Sequence, residues 1–187
     1  MKKDMIKKLA EYPVISAIKD ENGLKKCIKS KCKVVFILYG DICNIKEIVD
    51  TIKDADKIAI VHIDLISGLS NSEISVEYLA TNTNLDGIIS TKYNLLKAAK
   101  NRGLITIQRI FMIDSMALNN LKNQLRRDEI DFIEVLPGVM PKVIKKIVSV
   151  SRIPIIAGGL VNDREDVEIS LKAGAIAVST SSATLCG

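Results

Sequence analysis

Eight short apolar runs, separated by stretches of helical periodicity, constrain the fold of this 187-residue chain more than any other feature. The runs are Val14–Ile18, Val34–Leu38, Ile58–Ile63, Gly87–Ile89, Thr106–Gln108, Phe132–Val135, Pro154–Ala157 and Ala175–Ser179. Most are rich in Val and Ile and lack polar alternation, as strands do when helices cover both faces of a parallel sheet. Glu21–Ser30, Asn44–Lys53, Asn94–Arg102, Ser115–Arg127 and Pro141–Ser149 space their apolar residues by three and four, as helices with one buried face do. Asp163–Gly174 has the same form, with Gly174 closing the helix. Such alternation gives a closed barrel or an open doubly wound sheet. Eight strands is the number at which side chains fill a barrel interior. No Gly-x-Gly-x-x-Gly turn follows the first run, as an open dinucleotide-binding sheet would require. The expected fold is a compact (β/α)8 TIM-type barrel, one α/β domain spanning residues 1–187. Few residues follow the eighth run, so the eighth helix is expected to be short or missing. A helix over Met1–Glu11 is expected to cover part of that gap with Met5, Ile6 and Leu9.

Composition narrows the function classes. No apolar run approaches the roughly 20 residues of a membrane span, and the charged N-terminus lacks the apolar core of a signal peptide. A cytoplasmic protein with no membrane partner is expected. Cys27, Cys32, Cys43 and Cys186 match no zinc or redox spacing, and His62 is the only histidine, so neither a metal nor another cofactor is expected. The net charge of +5 suits a polyanionic partner. Its densest sources are Lys25, Lys26, Lys29, Lys31 and Lys33, then Lys142, Lys145 and Lys146, with Arg126 and Arg127 between. Three Phe, four Tyr and no Trp make an aromatic base-stacking platform a poor fit. Any RNA contact would rest on phosphates and shape.

Polar groups gather where the apolar runs stop, which in a barrel is the face that carries binding sites. Gly158-Gly159 ends the seventh run and lets backbone amides approach an anion. Ser179, Thr180 and Ser181 end the eighth and add hydroxyl and amide donors. Phosphate sites in such barrels commonly use these two loops. Lys19, Asp20, His62, Asp64, Gln108, Arg109 and Glu134 lie at the other strand ends and are expected to line the rest of the mouth. His62 and Asp64, two apart, would face the same side of a strand, whereas only one of Gln108 and Arg109 can point inward. Lys92 is conceivable as a Schiff-base lysine, although nothing in the sequence shows it desolvated.

Seven segments together resemble the glycerol-uptake operon antiterminator regulatory family. They are PVISAIKD (13–20), VHIDLISGL (61–69), DGIISTK (86–92), TIQRIFMIDS (106–115), IEVLPG (133–138), IPIIAGGL (153–160) and AVSTS (177–181). The resemblance runs in order through essentially the whole chain; only the tail departs, Leu185 being followed by Cys186 rather than an aromatic. It implies a barrel that binds glycerol 3-phosphate and then acts on leader mRNA of glycerol-utilisation genes to prevent transcription termination. By that analogy Gly158, Gly159, Ser179, Thr180 and Ser181 hold the phosphate, and no residue is catalytic. A homodimer is expected, because two half-sites help a small basic protein grip RNA. The alternative is a barrel enzyme (an isomerase, lyase or transferase) acting on a small phosphorylated metabolite, since fold does not settle function.

Overall fold

The apolar runs become eight parallel strands that close in sequence order into a barrel. The computed structural model of the chain describes all residues except 115, 119–120, 122–124 and 126–127. A first helix α1 (Lys2–Glu11) precedes β1 (Val14–Ile18). There follow α2 (Glu21–Lys29), β2 (Val34–Ile37), α3 (Ile45–Asp54), β3 (Ile58–His62), α4 (Glu73–Asn82), β4 (Gly87–Ser90), α5 (Tyr93–Asn101) and β5 (Ile105–Phe111). β6 (Phe132–Leu136), α6 (Pro141–Val148), β7 (Ile155–Gly158), α7 (Arg164–Lys172) and β8 (Ala177–Thr180) complete the barrel. β8 pairs back onto β1, with Val14 opposite Val178 and Ser16 opposite Thr180. The expected helix at Ser115–Arg127 falls partly outside the described residues.

Side-chain alternation explains why the strands are apolar throughout. Ile15, Phe36, Ile60, Ile107, Phe132, Ile156 and Ala177 share one buried cluster that fills the lumen. Their neighbours Val35, Val61 and Ile88 turn outward into a second cluster beneath the helices. With both faces buried, neither parity tolerates polar residues through the middle of the strand. Register is reinforced by a device used twice. Asp86, just before β4, accepts from Ala59 N in β3 at 2.8 Å and from Lys53 of α3. Asp131, just before β6, accepts from Thr106 N in β5 at 3.2 Å and from Lys100 of α5 at 2.7 Å.

Helix α1 does not take the expected place beside the eighth strand. Its Met5 and Leu9 are buried in the lumen cluster with Ile15, Val34 and Ile58, so the helix plugs the N-terminal end of the barrel. Each such side chain contributes about 2–3 kcal/mol of burial. Ile6 is 40% exposed and takes no part. The flank beside β8 is covered instead by the tail. A 3-10 turn, Ala183–Leu185, follows β8 directly, and Cys186 packs with Val14 and Cys32. The eighth helix is therefore replaced by one tight turn. Helix α4 was not legible from periodicity. Val76 and Leu79 are buried, yet Ile74 lies on the solvent side, which blurs the apolar stripe. β5 runs three residues past its expected end, to Phe111.

Candidate ligand-binding site

The inward-facing positions change character at the C-terminal ends of the strands. Above Ala17 comes Lys19, above Ile60 His62, above Ile107 Arg109, above Phe132 Glu134, and above Ala177 Ser179. The two-residue strand period thus turns a dry interior into a polar mouth over one layer. At its centre Glu134 is 1% exposed. It accepts from Arg109 Nε at 2.5 Å and from Ser179 Oγ at 2.6 Å. Removing either partner would leave a carboxylate buried and under-compensated, which is strongly destabilising. Gly158 supplies the room: a Cβ there would lie 2.4 Å from Ser179 Oγ and 2.6 Å from Glu134 Oε1.

Beside this network opens a cavity of about 350 Å³, lined by Lys19, Arg109, Glu134, Gly159, Ser179 and Ser181 among others. That is the size of a small-metabolite site. Gly159 and Leu160 are consecutive left-handed residues (φ +77° and +62°), so the backbone curls around the cavity edge. Thr180 faces the other way. Its hydroxyl donates to Val161 O at 2.8 Å and accepts from Ser182 N at 3.0 Å, tying the loops after β7 and β8 together. Thr180 thus fixes the two loops that border the cavity, while Ser179 and Ser181 lie on its lining, Ser179 with its hydroxyl donated to Glu134.

The remaining expected site residues divide. His62 points into the lumen, buried, with no hydrogen-bond partner for Nδ1 among the described residues. Burial, with the Arg109 charge adding to it and Asp64 opposing, pushes the imidazole down to about 4. It is neutral at neutral pH, and it lies beneath the cavity rather than on its lining. Asp64 does not share a strand face with it, because β3 ends at His62 and Asp64 sits in the 3-10 turn Ile63–Leu65. Its carboxylate accepts from Ser90 Oγ and Thr91 N, each at 2.8 Å, joining the ends of β3 and β4. Asp20 caps α2, accepting from Gly23 N at 2.7 Å, and does not line the cavity. Gln108 lies on the outward parity of β5, buried behind the sheet, while Arg109 faces in. Lys92 pairs with Asn71 and lies 3.8 Å from Asp64 at the rim. Sequence reasoning missed the apolar walls Leu38 and Leu136 and the loop residues Leu160 to Asn162. Leu38 and Leu136 were detectable by parity, as the inward residues after Phe36 and Glu134. The left-handed Leu160 had no such signal.

Among proteins of known sequence and structure, a family model described as glycerol-3-phosphate responsive antiterminator matches residues 14–186. The chain belongs to that family. The Escherichia coli K12 protein YgcP is 45% identical over 172 residues, covering 92% of this chain and 90% of that one. The glycerol uptake operon antiterminator regulatory protein of Listeria monocytogenes 4b F2365 superposes with a TM-score of 0.86 at 34% identity, covering 91% of this chain and 92% of that one. An antiterminator-related protein of Thermotoga maritima MSB8 gives 0.81 at 34% identity, with 92% and 96% covered. An aldolase barrel at 15% identity and a TM-score of 0.72 shares the fold alone. As an antiterminator-family member, the chain carries the polar mouth on a regulator's scaffold. No helix among the described residues is long and apolar enough to cross a membrane.

Proposed function

We propose that the protein is a cytoplasmic sensor whose cavity binds glycerol 3-phosphate, and whose occupied form binds leader mRNA of glycerol-utilisation genes to prevent termination. The observation that carries this reading is the pairing of two cations with one carboxylate around a small-metabolite cavity. Lys19 and Arg109 against Glu134 leave a net positive field at the rim, beside the left-handed Gly159–Leu160 curl and Ser181. The phosphate sits on that side, where the backbone of the β7 and β8 loops and the Ser181 hydroxyl supply donors, Ser179 being held by its own bond to Glu134. The glycerol hydroxyls reach toward Glu134, which lines the cavity. A ligand present at 100 times its Kd stabilises the fold by about 2.7 kcal/mol, which favours whichever tail and loop arrangement it touches. The protein acts as a homodimer.

The test is RNA affinity measured by fluorescence anisotropy with and without the ester. The ligand is expected to tighten binding, and RNA to tighten ligand binding by the same factor, because coupling is reciprocal. Affinity should fall steeply with salt. Equal RNA affinity in both conditions would remove the switch. The enzymatic alternative has less support: both Glu134 oxygens are engaged by Arg109 and Ser179, and Lys92 is held at the rim.

A further inference from the structure

The replacement of the eighth helix by a 3-10 turn leaves a groove on the barrel's flank, between α7 and the α2–β2 corner. It has a volume of about 380 Å³ and includes Tyr12, Lys31, Arg164, Glu168, Thr184 and Leu185 in its lining. From this groove we infer that the RNA-contacting surface is the flank beside β8, and that a single-stranded segment lies in it with its phosphates on Lys31, Arg164 and Lys26. This rests on the antiterminator reading above and adds the place and the means of coupling.

Charge selects the occupant. Neither Lys31 nor Arg164 forms an ion pair among the described residues, although both are exposed at the groove. Glu168 is the one acidic side chain in the lining and is 3.3 Å from Lys172; Lys31 and Arg164 are paired neither with it nor with the terminal Gly187 that also lines the groove. Lys26 lines a small adjoining cleft with Ser181, Ala183 and Cys186, which extends the cationic track toward the ligand cavity. Unpaired cations set along a cleft are the electrostatic footprint of a phosphate backbone. The cleft admits a short stretch of single strand and is too small for a duplex. The other basic cluster, Lys142, Lys145 and Lys146 on α6, lies outside this groove.

Connectivity supplies the switch. Ser181, in the ligand cavity, is followed within two residues by the turn whose Thr184 and Leu185 line the groove. That turn is tied to the cationic wall: Lys31 N donates to Cys186 O at 3.0 Å, and Tyr12 Oη donates to Leu185 O at 3.0 Å. A ligand that fixes Ser181 therefore steadies the turn to which the Lys31 backbone and Tyr12 are bonded.

The experiment measures binding of the full-length protein to labelled leader RNA of the glycerol-uptake genes from the same genome, with saturating glycerol 3-phosphate, across a salt series. Lys31→Glu and Arg164→Glu are each expected to weaken binding at least tenfold and to flatten the salt slope by about one unit. Their calorimetric affinity for the ester should stay within twofold of wild type. Lys142→Glu/Lys145→Glu, with at least as large a charge change on α6, should cost less than threefold. Wild-type binding that survives both groove variants and collapses in the α6 variant would overturn the location and leave the antiterminator reading intact. Ester binding with no wild-type affinity for leader RNA would overturn both. Circular dichroism melts confirm that each variant is folded, and Lys31→Gln keeps the test available if the charge reversal unfolds the chain.

Discussion

Gly158→Ala places one methyl group at the most crowded point of the polar mouth, and the structure fixes what it must displace. The new Cβ would stand 2.4 Å from Ser179 Oγ and 2.6 Å from Glu134 Oε1, two atoms that are themselves hydrogen-bonded at 2.6 Å. Neither contact is tolerable, so one or both oxygens retreat and their hydrogen bond is lost. A hydrogen bond to a buried carboxylate is worth about 1.5–3 kcal/mol, and overpacking a tight interior costs about 1–3 kcal/mol. The two overlap, so the expected loss is about 3–4 kcal/mol, a large fraction of the ~5–15 kcal/mol typical of a domain. In urea, with a slope of about 2 kcal/mol/M, the midpoint should drop by about 1.5–2 M. Adding Ser179→Ala removes the nearest colliding atom. The double variant should therefore be at least 1 kcal/mol more stable than the sum of the singles predicts. A Gly158→Ala protein within 0.5 kcal/mol of wild type, or strictly additive singles, would refute the picture of a packed Gly158–Ser179–Glu134 contact.

Three further outcomes follow from other parts of the molecule. His62 titrates near 6.5 when unfolded and about 4 when folded, so the unfolded chain binds the extra proton between these values and stability falls as pH drops through that window. The His62 contribution approaches about 3 kcal/mol at the acid end, and His62→Gln should flatten the denaturant midpoint against pH between 6.5 and 4; an unchanged slope would contradict a buried neutral imidazole. Met5→Ala, which opens the barrel floor, should cost about 2–5 kcal/mol in urea unfolding, whereas Ile6→Ala should change stability by less than 0.5 kcal/mol; equal effects would deny that α1 plugs the lumen. Incubation with glycerol 3-phosphate and mass spectrometry should return the ester unchanged, and conversion at about 1 per second or faster would restore the enzyme reading.

The barrel was legible because its physics is periodic. Strands buried on both faces must be apolar at both parities, and Val34–Ile37 and Ile58–His62 announce themselves on that ground. The polar residues that end the strands were equally visible, and parity within a strand correctly leaves one of Gln108 and Arg109 inside. Which one it is depends on where the register starts, and that is set by partners such as Phe132 opposite Ile107. Asp20 and Asp64 looked like ligands because a carboxylate at a strand end has two uses, and local capping geometry decides between them. Asp20 serves the N-terminus of α2, and Asp64 joins two strand ends. The role of α1 was hidden for a different reason. Its apolar residues show that it docks, but only the closed barrel shows that the floor is the larger unfilled apolar surface. The left-handed Leu160 has no local signature, since its conformation is imposed by the loop it closes.

The measurement that bears most directly on the account is calorimetric titration of the folded protein with glycerol 3-phosphate, with glycerol and inorganic phosphate as controls. One site per chain is expected, with a Kd in the micromolar range, at or below about −7 kcal/mol. Each control should bind at least a hundredfold more weakly, and Arg109→Met should lose the site. Heats no larger for the ester than for phosphate alone would contradict a cavity built for this ligand.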